Sequence, residues 1–250
     1  MAMKQLKPKA RLFVPGPLSQ GEVITLAGQQ VHYISNLIRL QAGEPLALFN
    51  GCDGEWRAAV VACSKKEVTL KVSQCTREQT PEPDLWLAFA PIKRPGIDYM
   101  AQKATELGVS KLIPVRTMRT VVARVKTEHL AASAREAAEQ CERLTIPDVV
   151  DMAKLETVLG NWPGERWLLF CDEEKGDPLV LEALQAVSQK PAKSPWGILI
   201  GPEGGFTSKE RELIRSYSYC IPASLGPRVL RADTAALAAL SLWQAAIGDW

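Results

Sequence analysis

Two glycine- and proline-rich turns hold the residue types that can carry chemistry in this chain. The first, GPEGG (201–205), follows an apolar run and precedes a charged helical segment. It has neither the G-x-x-x-x-G-K-[ST] pattern of a phosphate loop nor the G-x-G-x-x-G pattern of a dinucleotide-binding turn. Its glycines expose backbone N–H and C=O groups, and its proline has a fixed φ. Such a turn can read a neutral base such as adenine; a tight turn without ligand is the alternative.

The second turn, LGPRVLR (225–231), carries two arginines around a short apolar step. Arg228 and Arg231 can clamp a phosphate or stabilise a developing anion, because a guanidinium has a fixed charge and several donors. Ordinary surface arginines would give the same pattern. Asp233 and Thr234 follow at the start of a predicted helix, where such residues typically cap free backbone N–H groups.

Both turns lie in a part of the chain whose pattern alternates strands and helices. The pattern predicts strands near 85–90, 111–116, 167–171, 197–201 and 219–223, and helices near 96–108, 127–144, 178–188, 207–217 and 232–247. Gly108 is a predicted C-cap, Pro178 suits a first helical turn, and Thr207 with Glu210 forms a capping-box pattern. Apolar strands between helices indicate a parallel sheet covered on both faces. Ligands gather at the carboxyl ends of such strands.

The chain up to about residue 77 has a different pattern, with short strands broken by glycine turns. LALFNG, GEWRAAVVACS and KEVTLKVSQC are typical of strands, and the last alternates apolar and polar residues. One helical segment, GQQVHYISNLIRL, interrupts them. We expect a small β-barrel domain at 1–77, a linker at 78–84 and an α/β domain at 85–250.

Composition bounds the class of protein. Apolar residues make up 46% and charged residues 23%, as in ordinary globular chains. The apolar runs fall short of the ~20 residues of a membrane span, and the N-terminus lacks the apolar segment of a signal peptide. We therefore expect a cytoplasmic protein without membrane contact. Six cysteines form no C-x-x-C pair and the two histidines are far apart, so we expect no metal site.

Positive charge is concentrated in the first third of the chain. Residues 1–80 contain 10 Lys and Arg against 6 Asp and Glu, whereas the whole chain has a net charge of +2. This excess permits an anionic partner such as RNA.

The two turns also belong to a longer resemblance. LIGPEGGFTSKE, LGPRVLRADTAALAAL and KATELGVSKLIPVRTMRT resemble the RsmE family of small-subunit (16S) ribosomal RNA methyltransferases, which is part of the SPOUT superfamily. RLFVPGPL (11–18), residues 31–51 and EQCERLTIP (139–147) extend the resemblance over nearly the whole chain. One departure is Ala232-Asp233, where the family often has Thr-Glu.

The resemblance implies a homodimeric enzyme that methylates N3 of a uridine in ribosomal RNA with S-adenosyl-L-methionine. It also implies a PUA-like, RNA-binding barrel followed by an α/β domain tied in a trefoil knot. The knotted turns would bind the cofactor, mostly through the backbone. The residues carried over for this role are Leu169, Phe170, Cys171, Asp172, Glu173, Ile200, Gly201, Pro202, Glu203, Gly204, Leu225, Gly226, Arg228, Val229, Leu230 and Thr234.

The catalytic candidates are the two arginines of the second turn. Uridine N3 must lose its proton to become a nucleophile, and Arg228 or Arg231 can stabilise the charge that then spreads onto O2 and O4. Arg231 is slightly favoured for substrate or phosphate contact. We interpret Glu203 as a carboxylate at the N-terminus of the following helix rather than a partner of the sulfonium. The candidates for RNA contact are Arg11, Arg39, Lys93 and Arg94.

Two alternatives remain open at this point. Another RNA, such as tRNA, can be the substrate, because superfamily members share the cofactor turns. A catalytically silent RNA-binding or ribosome-assembly protein that uses the barrel alone is the second alternative, and retention of both turns argues against it. A nucleotide hydrolase is disfavoured, because the chain has no phosphate loop.

Overall fold

The computed structural model describes residues 8–64, 66–174, 176–187 and 194–250. The chain divides into two compact units, one of Met1–Pro81 with Ala138–Ile146 and one of Glu82–Ala137 with Pro147–Trp250. Each unit has hydrophobic core clusters of its own. Across these described ranges, no helix is both long and apolar enough to cross a membrane.

The first unit is built on a five-stranded sheet. Its strands are β1 (Arg11–Phe13), β2 (Val23–Ala27), β3 (Pro45–Phe49), β4 (Glu55–Cys63) and β5 (Glu67–Arg77). The order is β1-β3-β4-β5-β2, in which β1 runs parallel to β3 and the other pairs are antiparallel. Register shifts between β4 and β5 increase the local twist, as bulges do. The predicted strands are confirmed.

The predicted helical segment of the first unit is also confirmed, in an unusual form. A short helix α1 (Gln29–His32) continues as a π-helix over Tyr33–Ile38. It ends at Arg39, whose φ of 55° is left-handed. Val31 and Ile34 of this segment pack into the same core as alternate residues of β5, namely Val68, Leu70 and Val72. The helical segment therefore covers the sheet rather than merely connecting strands.

The second unit is built on a parallel sheet. Its strands are β6 (Leu85–Phe89), β7 (Lys111–Arg116), β8 (Asp148–Val149), β9 (Ala153–Lys154), β10 (Trp167–Cys171), β11 (Trp196–Ile200) and β12 (Cys220–Ala223). Its helices are α2 (Gly96–Glu106), α3 (Thr127–Gln140), α4 (Leu155–Gly160), α5 (Val180–Val187), α6 (Ser208–Arg215) and α7 (Ala232–Ala246). The strand order is β12-β10-β11-β6-β7-β8, and β9 pairs with β7. Every pair is parallel.

The five strands and five helices predicted for this unit are confirmed, with shifts at their ends. α3 ends at Gln140 rather than near 144, because Glu142 has a left-handed φ of 62° that a helix does not accommodate. α5 begins at Val180, after Pro178, and position 188 of the predicted helix lies outside the described residues. β8, β9 and α4 were missed, since segments of two to six residues show no readable periodicity.

Alternating side chains of the parallel strands face two separate cores. Leu87 of β6 lies on the face covered by α2, α5 and α7, where it joins a cluster with Met100 and Leu240. Phe170 of β10 lies on the opposite face, in a cluster with Ile214 of α6. The sheet is therefore buried on both sides, as its apolar strands predicted.

The strand order determines where a ligand can bind. β10 lies between β11 and β12, so the carboxyl ends of these three strands, Cys171, Ile200 and Ala223, are neighbours. The turns that follow them consequently meet at one edge of the sheet. The trefoil-knotted path of the chain stays a prediction from the resemblance.

Candidate active site

The three turns at the carboxyl ends of β10, β11 and β12 line one cavity. They are here called the first, second and third turn in chain order, so that GPEGG is the second turn and LGPRVLR is the third. The lining residues are Cys171, Asp172, Glu173, Ile200, Gly201, Pro202, Glu203, Gly205, Ser224, Leu225, Gly226, Pro227, Arg228, Val229, Leu230, Ala232 and Ala235. Most residues singled out for cofactor contact thus lie around the same space. Residues far apart in sequence meet there because parallel strands bring their carboxyl ends to one edge.

Some of the expected residues lie elsewhere. Leu169 and Phe170 are fully buried in the cores on the two faces of the sheet. Gly204 does not line the cavity and accepts a hydrogen bond from Arg119, and the Thr234 hydroxyl lies 3.4 Å from the Asp233 carboxylate. The lining residues that sequence reasoning missed are Gly205, Ser224, Pro227, Ala232 and Ala235. Gly205 and Pro227 lie within the quoted turns and were passed over, whereas Ser224, Ala232 and Ala235 flank the turn 225–231 and would have been found by extending it by a few residues.

The first turn is held by a buried carboxylate. The side chain of Asp172 has no exposed surface, and its two oxygens each lie 3.0 Å from Nε of Arg211. Nη2 of Arg215 lies 3.1 Å from the same carboxylate. Burial raises the pKa of Asp172, but the hydrogen bonds from Arg211, the Glu174 backbone and Arg215 outweigh it and lower the pKa below its ordinary value. The carboxylate is therefore ionised and paired.

Arg211 of α6 also joins the first turn to the second. Arg211 Nη1 donates to the carbonyl of Phe206 at 2.6 Å, and Nη2 pairs with Glu173. Arg215 also bonds Asp177, at 2.9 Å. Sequence reasoning missed this cluster because the partners lie about forty positions apart. The available signal was weak: two arginines four residues apart on one helix face, and an acidic run after β10.

Two glycines of the second turn are favoured by close packing and by backbone conformation. Gly205 has a φ of +66°, and a Cβ there would overlap the Glu173 carboxylate. A Cβ on Gly201 would lie 2.6 Å from the Phe206 ring. The turn is closed by a bond of 2.9 Å from the Gly205 N–H to the Pro202 carbonyl. These contacts explain why the sequence is rich in glycine and proline.

The helix after the second turn begins as predicted, but Glu203 does not take part. Thr207 is the N-cap of α6 and forms the predicted capping box with Glu210. Glu203 lies four residues before that cap and lines the cavity with an exposed side chain. The interpretation of Glu203 as the carboxylate at the helix N-terminus was therefore wrong; Glu210 has that place in the first helical turn.

The third turn is exposed. Val229 is 85% exposed, and Arg228 and Arg231 are exposed as well. Arg228 lines the cavity, whereas Arg231 is the N-cap position of α7 and makes no side-chain cap. Within the described residues, neither guanidinium has a protein partner. Asp233 lies inside the first turn of α7 and accepts from the Thr234 N–H at 2.7 Å, so it satisfies a free donor without being the N-cap.

The structure gives Arg11 of the first unit a role other than an exposed RNA contact. Its Nε lies 2.7 Å from Glu55 and its Nη1 lies 2.7 Å from the carbonyl of Ala138, while Nη2 donates to the carbonyl of Arg143. The side chain is 10% exposed and stacks on Phe49. Two of its three nitrogens thus bond 138–146 to β1, and the third pairs with Glu55 of β4.

The other three RNA-contact candidates have exposed side chains. Arg39 lies at the left-handed end of the π-helix. Lys93 and Arg94 follow β6 and line a cleft that also contains Arg124 and Lys126. Arg94 Nη2 lies 2.7 Å from His129 Nδ1. Four cations therefore surround one concave surface of the second unit.

Comparisons with known proteins agree with this geometry. A family model described as an RNA methyltransferase domain matches residues 78–244, and one described as an RNA methyltransferase PUA domain matches residues 26–73. A ribosomal RNA small subunit methyltransferase E of Rickettsia conorii is 33% identical to this chain, over 92% of the chain and 93% of the relative. The chain belongs to the ribosomal RNA small subunit methyltransferase E family.

Two solved structures are similar to this chain over nearly its whole length. A putative methyltransferase of Legionella pneumophila in complex with S-adenosylmethionine has a TM-score of 0.86 and 29% identity, covering 98% of this chain and 100% of that one. A ribosomal RNA small subunit methyltransferase E of Neisseria gonorrhoeae, bound to S-adenosylmethionine, has a TM-score of 0.83 and 25% identity, covering 96% and 99%. The predicted family and fold class, an α/β domain with a parallel sheet preceded by a PUA-like domain, are confirmed.

Proposed function

We propose that this methyltransferase E chain methylates N3 of a uridine in small-subunit (16S) ribosomal RNA, with S-adenosyl-L-methionine as the methyl donor. The observation that carries the proposal is the cavity formed by the turns after β10, β11 and β12. It supports the proposal because it lies in the matched RNA methyltransferase domain of a chain whose relatives are solved with S-adenosylmethionine.

The lining of the cavity fits an adenosine that carries no phosphate. Ile200, Leu225, Leu230 and the alanines of α7 offer apolar surface, while the turn backbones offer N–H and C=O groups. When bound, S-adenosylmethionine supplies an electrophilic methyl group on a sulfonium. The paired state of Asp172 leaves the first turn fixed in shape, so these groups need little reordering on binding.

Arg228 and Arg231 are the residues proposed to act on the uridine. Removal of the N3 proton places negative charge on O2 and O4, and a guanidinium beside these oxygens lowers the barrier. Both side chains are exposed and without a protein partner in the described parts of the chain, so they are free to bind an anion. Their position on the third turn supports this role, since that turn also lines the cavity.

The decisive test uses purified protein with ribosomal subunits from a strain that lacks the endogenous enzyme. We expect 3-methyluridine in the small-subunit RNA, detected by nucleoside analysis, and none in tRNA. Transfer to tRNA alone, or no transfer with intact cofactor binding, would overturn the proposed substrate.

Alanine substitutions then test the two arginines. Of the two variants R228A and R231A, we expect the less active to have a kcat about 100-fold or more below that of the wild type at saturating cofactor. This is the usual cost of removing one donor to a developing anion. Lys209, an exposed cation on α6, provides the control K209A, which should keep wild-type kcat. Near-normal turnover in both arginine variants would sink the assignment.

The cleft lined by Lys93, Arg94, Arg124 and Lys126 is proposed to bind RNA phosphates, together with Arg39 of the PUA-like unit. Each substitution that removes a cation from an RNA phosphate should weaken RNA binding and reduce the salt slope by about one. Fluorescence anisotropy with K93A at several salt concentrations measures both. An unchanged slope in K93A and in the R124A/K126A double variant would remove the cleft from the RNA surface.

The division into an RNA-binding domain at 1–77, a linker at 78–84 and a methyltransferase domain at 85–250 remains part of the proposal, as do a homodimer and a cytoplasmic location. Light scattering after size-exclusion chromatography tests the homodimer, which should have twice the 27.4 kDa of the chain.

A further inference from the structure

Arg119 contacts the turn 201–205, here called the cofactor turn, at Gly204, and neither Arg119 nor Gly204 lines the cavity. It lies just after β7, and its Nη1 donates to the carbonyl of Gly204 at 2.7 Å. The same nitrogen lies 3.5 Å from the carbonyl of Phe206. The aliphatic stem packs against Gly204, since a Cβ built on that glycine would lie 3.4 Å from Cβ of Arg119.

The turn that Arg119 contacts has few bonds of its own. Its two adjacent glycines, Gly204 and Gly205, lack the side-chain restraints of other residues, and one backbone bond, from Gly205 to Pro202, closes the turn. A hydrogen bond from a charged guanidinium is about twice as strong as one between neutral groups. Arg119 therefore restrains a segment that also lines the cavity, through Gly201, Pro202 and Glu203.

The segment that carries Arg119 is fastened independently of its guanidinium. The backbone N–H of Met118 donates to Oε1 of Glu210 at 2.8 Å, and Glu210 is 5% exposed. Thr117 and Thr120 bond to each other through their hydroxyls at 2.9 Å. Loss of the Arg119 side chain should therefore leave its own turn in place and loosen only the cofactor turn, next to which Arg211 still bonds the Phe206 carbonyl.

We propose that Arg119 is a positioning residue for the cofactor: it holds the 201–205 turn in the shape that binds S-adenosylmethionine, without touching the cofactor or the uridine. The inference rests on the proposed function and adds a residue outside the cavity to its machinery. Because R119A removes one charge-assisted bond, it should raise the dissociation constant for S-adenosylmethionine roughly tenfold. The KM for the cofactor should rise in parallel, while kcat at saturating cofactor and RNA stays unchanged.

The experiment compares the wild type, R119A, R119K and M118A by isothermal titration calorimetry with S-adenosylmethionine, and by methylation kinetics. R119K should bind with intermediate affinity, because an ammonium can still donate one bond to the Gly204 carbonyl. M118A is the matched control: Met118 is 76% exposed and its contact to Glu210 uses the backbone, so its affinity should equal that of the wild type.

Melting temperatures without cofactor separate positioning from a general structural role. Equal melting temperatures with a weakened affinity in R119A, partly restored in R119K, support the proposal. An unchanged dissociation constant, a loss of kcat without a change in affinity, or an affinity that falls only in step with the melting temperature overturns it. Wild-type protein that does not bind S-adenosylmethionine would instead overturn the proposed function itself.

Discussion

The cavity has two walls that charged side chains fasten to the rest of the protein and one wall, residues 225–231, whose two arginines have no protein partner among the described residues; this third wall is here called the free wall. The turn after β10 is tied to α6 through Asp172, and the turn after β11 is tied through Arg211 and Arg119. The turn after β12 carries Arg228 and Arg231, which have exposed side chains and no protein partner in the described residues. Arg211 and Arg119 are therefore bonded to other parts of the protein, whereas the two arginines of the third turn are not.

Burial explains the difference between Arg211 and the two arginines of the free wall. Arg211 is 14% exposed, and a charge removed from water to that extent needs a partner of opposite sign. Arg228 and Arg231 keep their solvation and need none, so their charge remains available to an incoming anion. The fastened walls are suited to hold a cofactor in a fixed shape, and the free wall is suited to meet an RNA substrate.

A substitution that removes the ion pairs of the fastened walls should have the largest effect on the free energy of unfolding. D172A leaves Arg211 and Arg215 without their shared carboxylate, and removal of one partner from a buried ion pair costs about 3–5 kcal/mol. We expect the free energy of unfolding of D172A, measured in urea, to fall by that amount. S-adenosylmethionine should also bind more weakly, because the first wall loses its anchor.

The matched control lies two residues away in the same turn. Glu174 is 64% exposed and its oxygen lies 3.6 Å from Nε of Arg211, so E174A should cost less than about 1 kcal/mol. Equal losses in E174A and D172A would show that the cluster acts through general charge balance rather than through the buried pair.

Acidic pH should lower the free energy of unfolding, because protonation of Asp172 removes the charge that pairs with the arginines of α6. The arginine pairs lower its pKa in the folded state, so its contribution to stability is present above the unfolded pKa and is lost as the pH falls through the folded value. We expect the wild-type stability to drop below about pH 4 more steeply than that of D172N, which has no carboxyl group to titrate. Parallel urea titrations over this range measure the difference. Identical slopes would mean that the pKa of Asp172 is not lowered.

The sequence predicted what depends on local pattern. The strands that end at Cys171, Ile200 and Ala223 were readable because strands buried on both faces are almost wholly apolar. The capping box at Thr207 was readable because both of its residues lie within one helical turn. The turns were recognised by their glycine and proline content. Their position at one edge of the sheet followed from the parallel arrangement of the strands alone.

The partners of individual charges were not predictable in the same way. Arg11 was expected at an RNA surface, yet its acceptors include the carbonyl of Ala138, 127 positions along the chain. Asp172 was expected to contact the cofactor and does line the cavity, but the pairing of its carboxylate with α6 was not predicted. No local periodicity records such pairs, because they depend on how distant segments pack. Arg119 escaped notice for the same reason, since its acceptor is a backbone carbonyl of another turn.

The smallest effect is expected from the free wall. The double variant R228A/R231A removes two exposed guanidinium groups that have no protein partner among the described residues, so no buried acceptor is left unsatisfied. Its free energy of unfolding should stay within about 0.5 kcal/mol of the wild type, as is usual for surface substitutions. Urea denaturation of both proteins without cofactor measures this.

A loss as large as that of D172A would mean that the third turn is fastened after all, and the contrast between the walls would fail. A small loss combined with abolished methylation, at an unchanged affinity for S-adenosylmethionine, would place the two arginines with the substrate, because they would then serve neither the fold nor the binding of the cofactor.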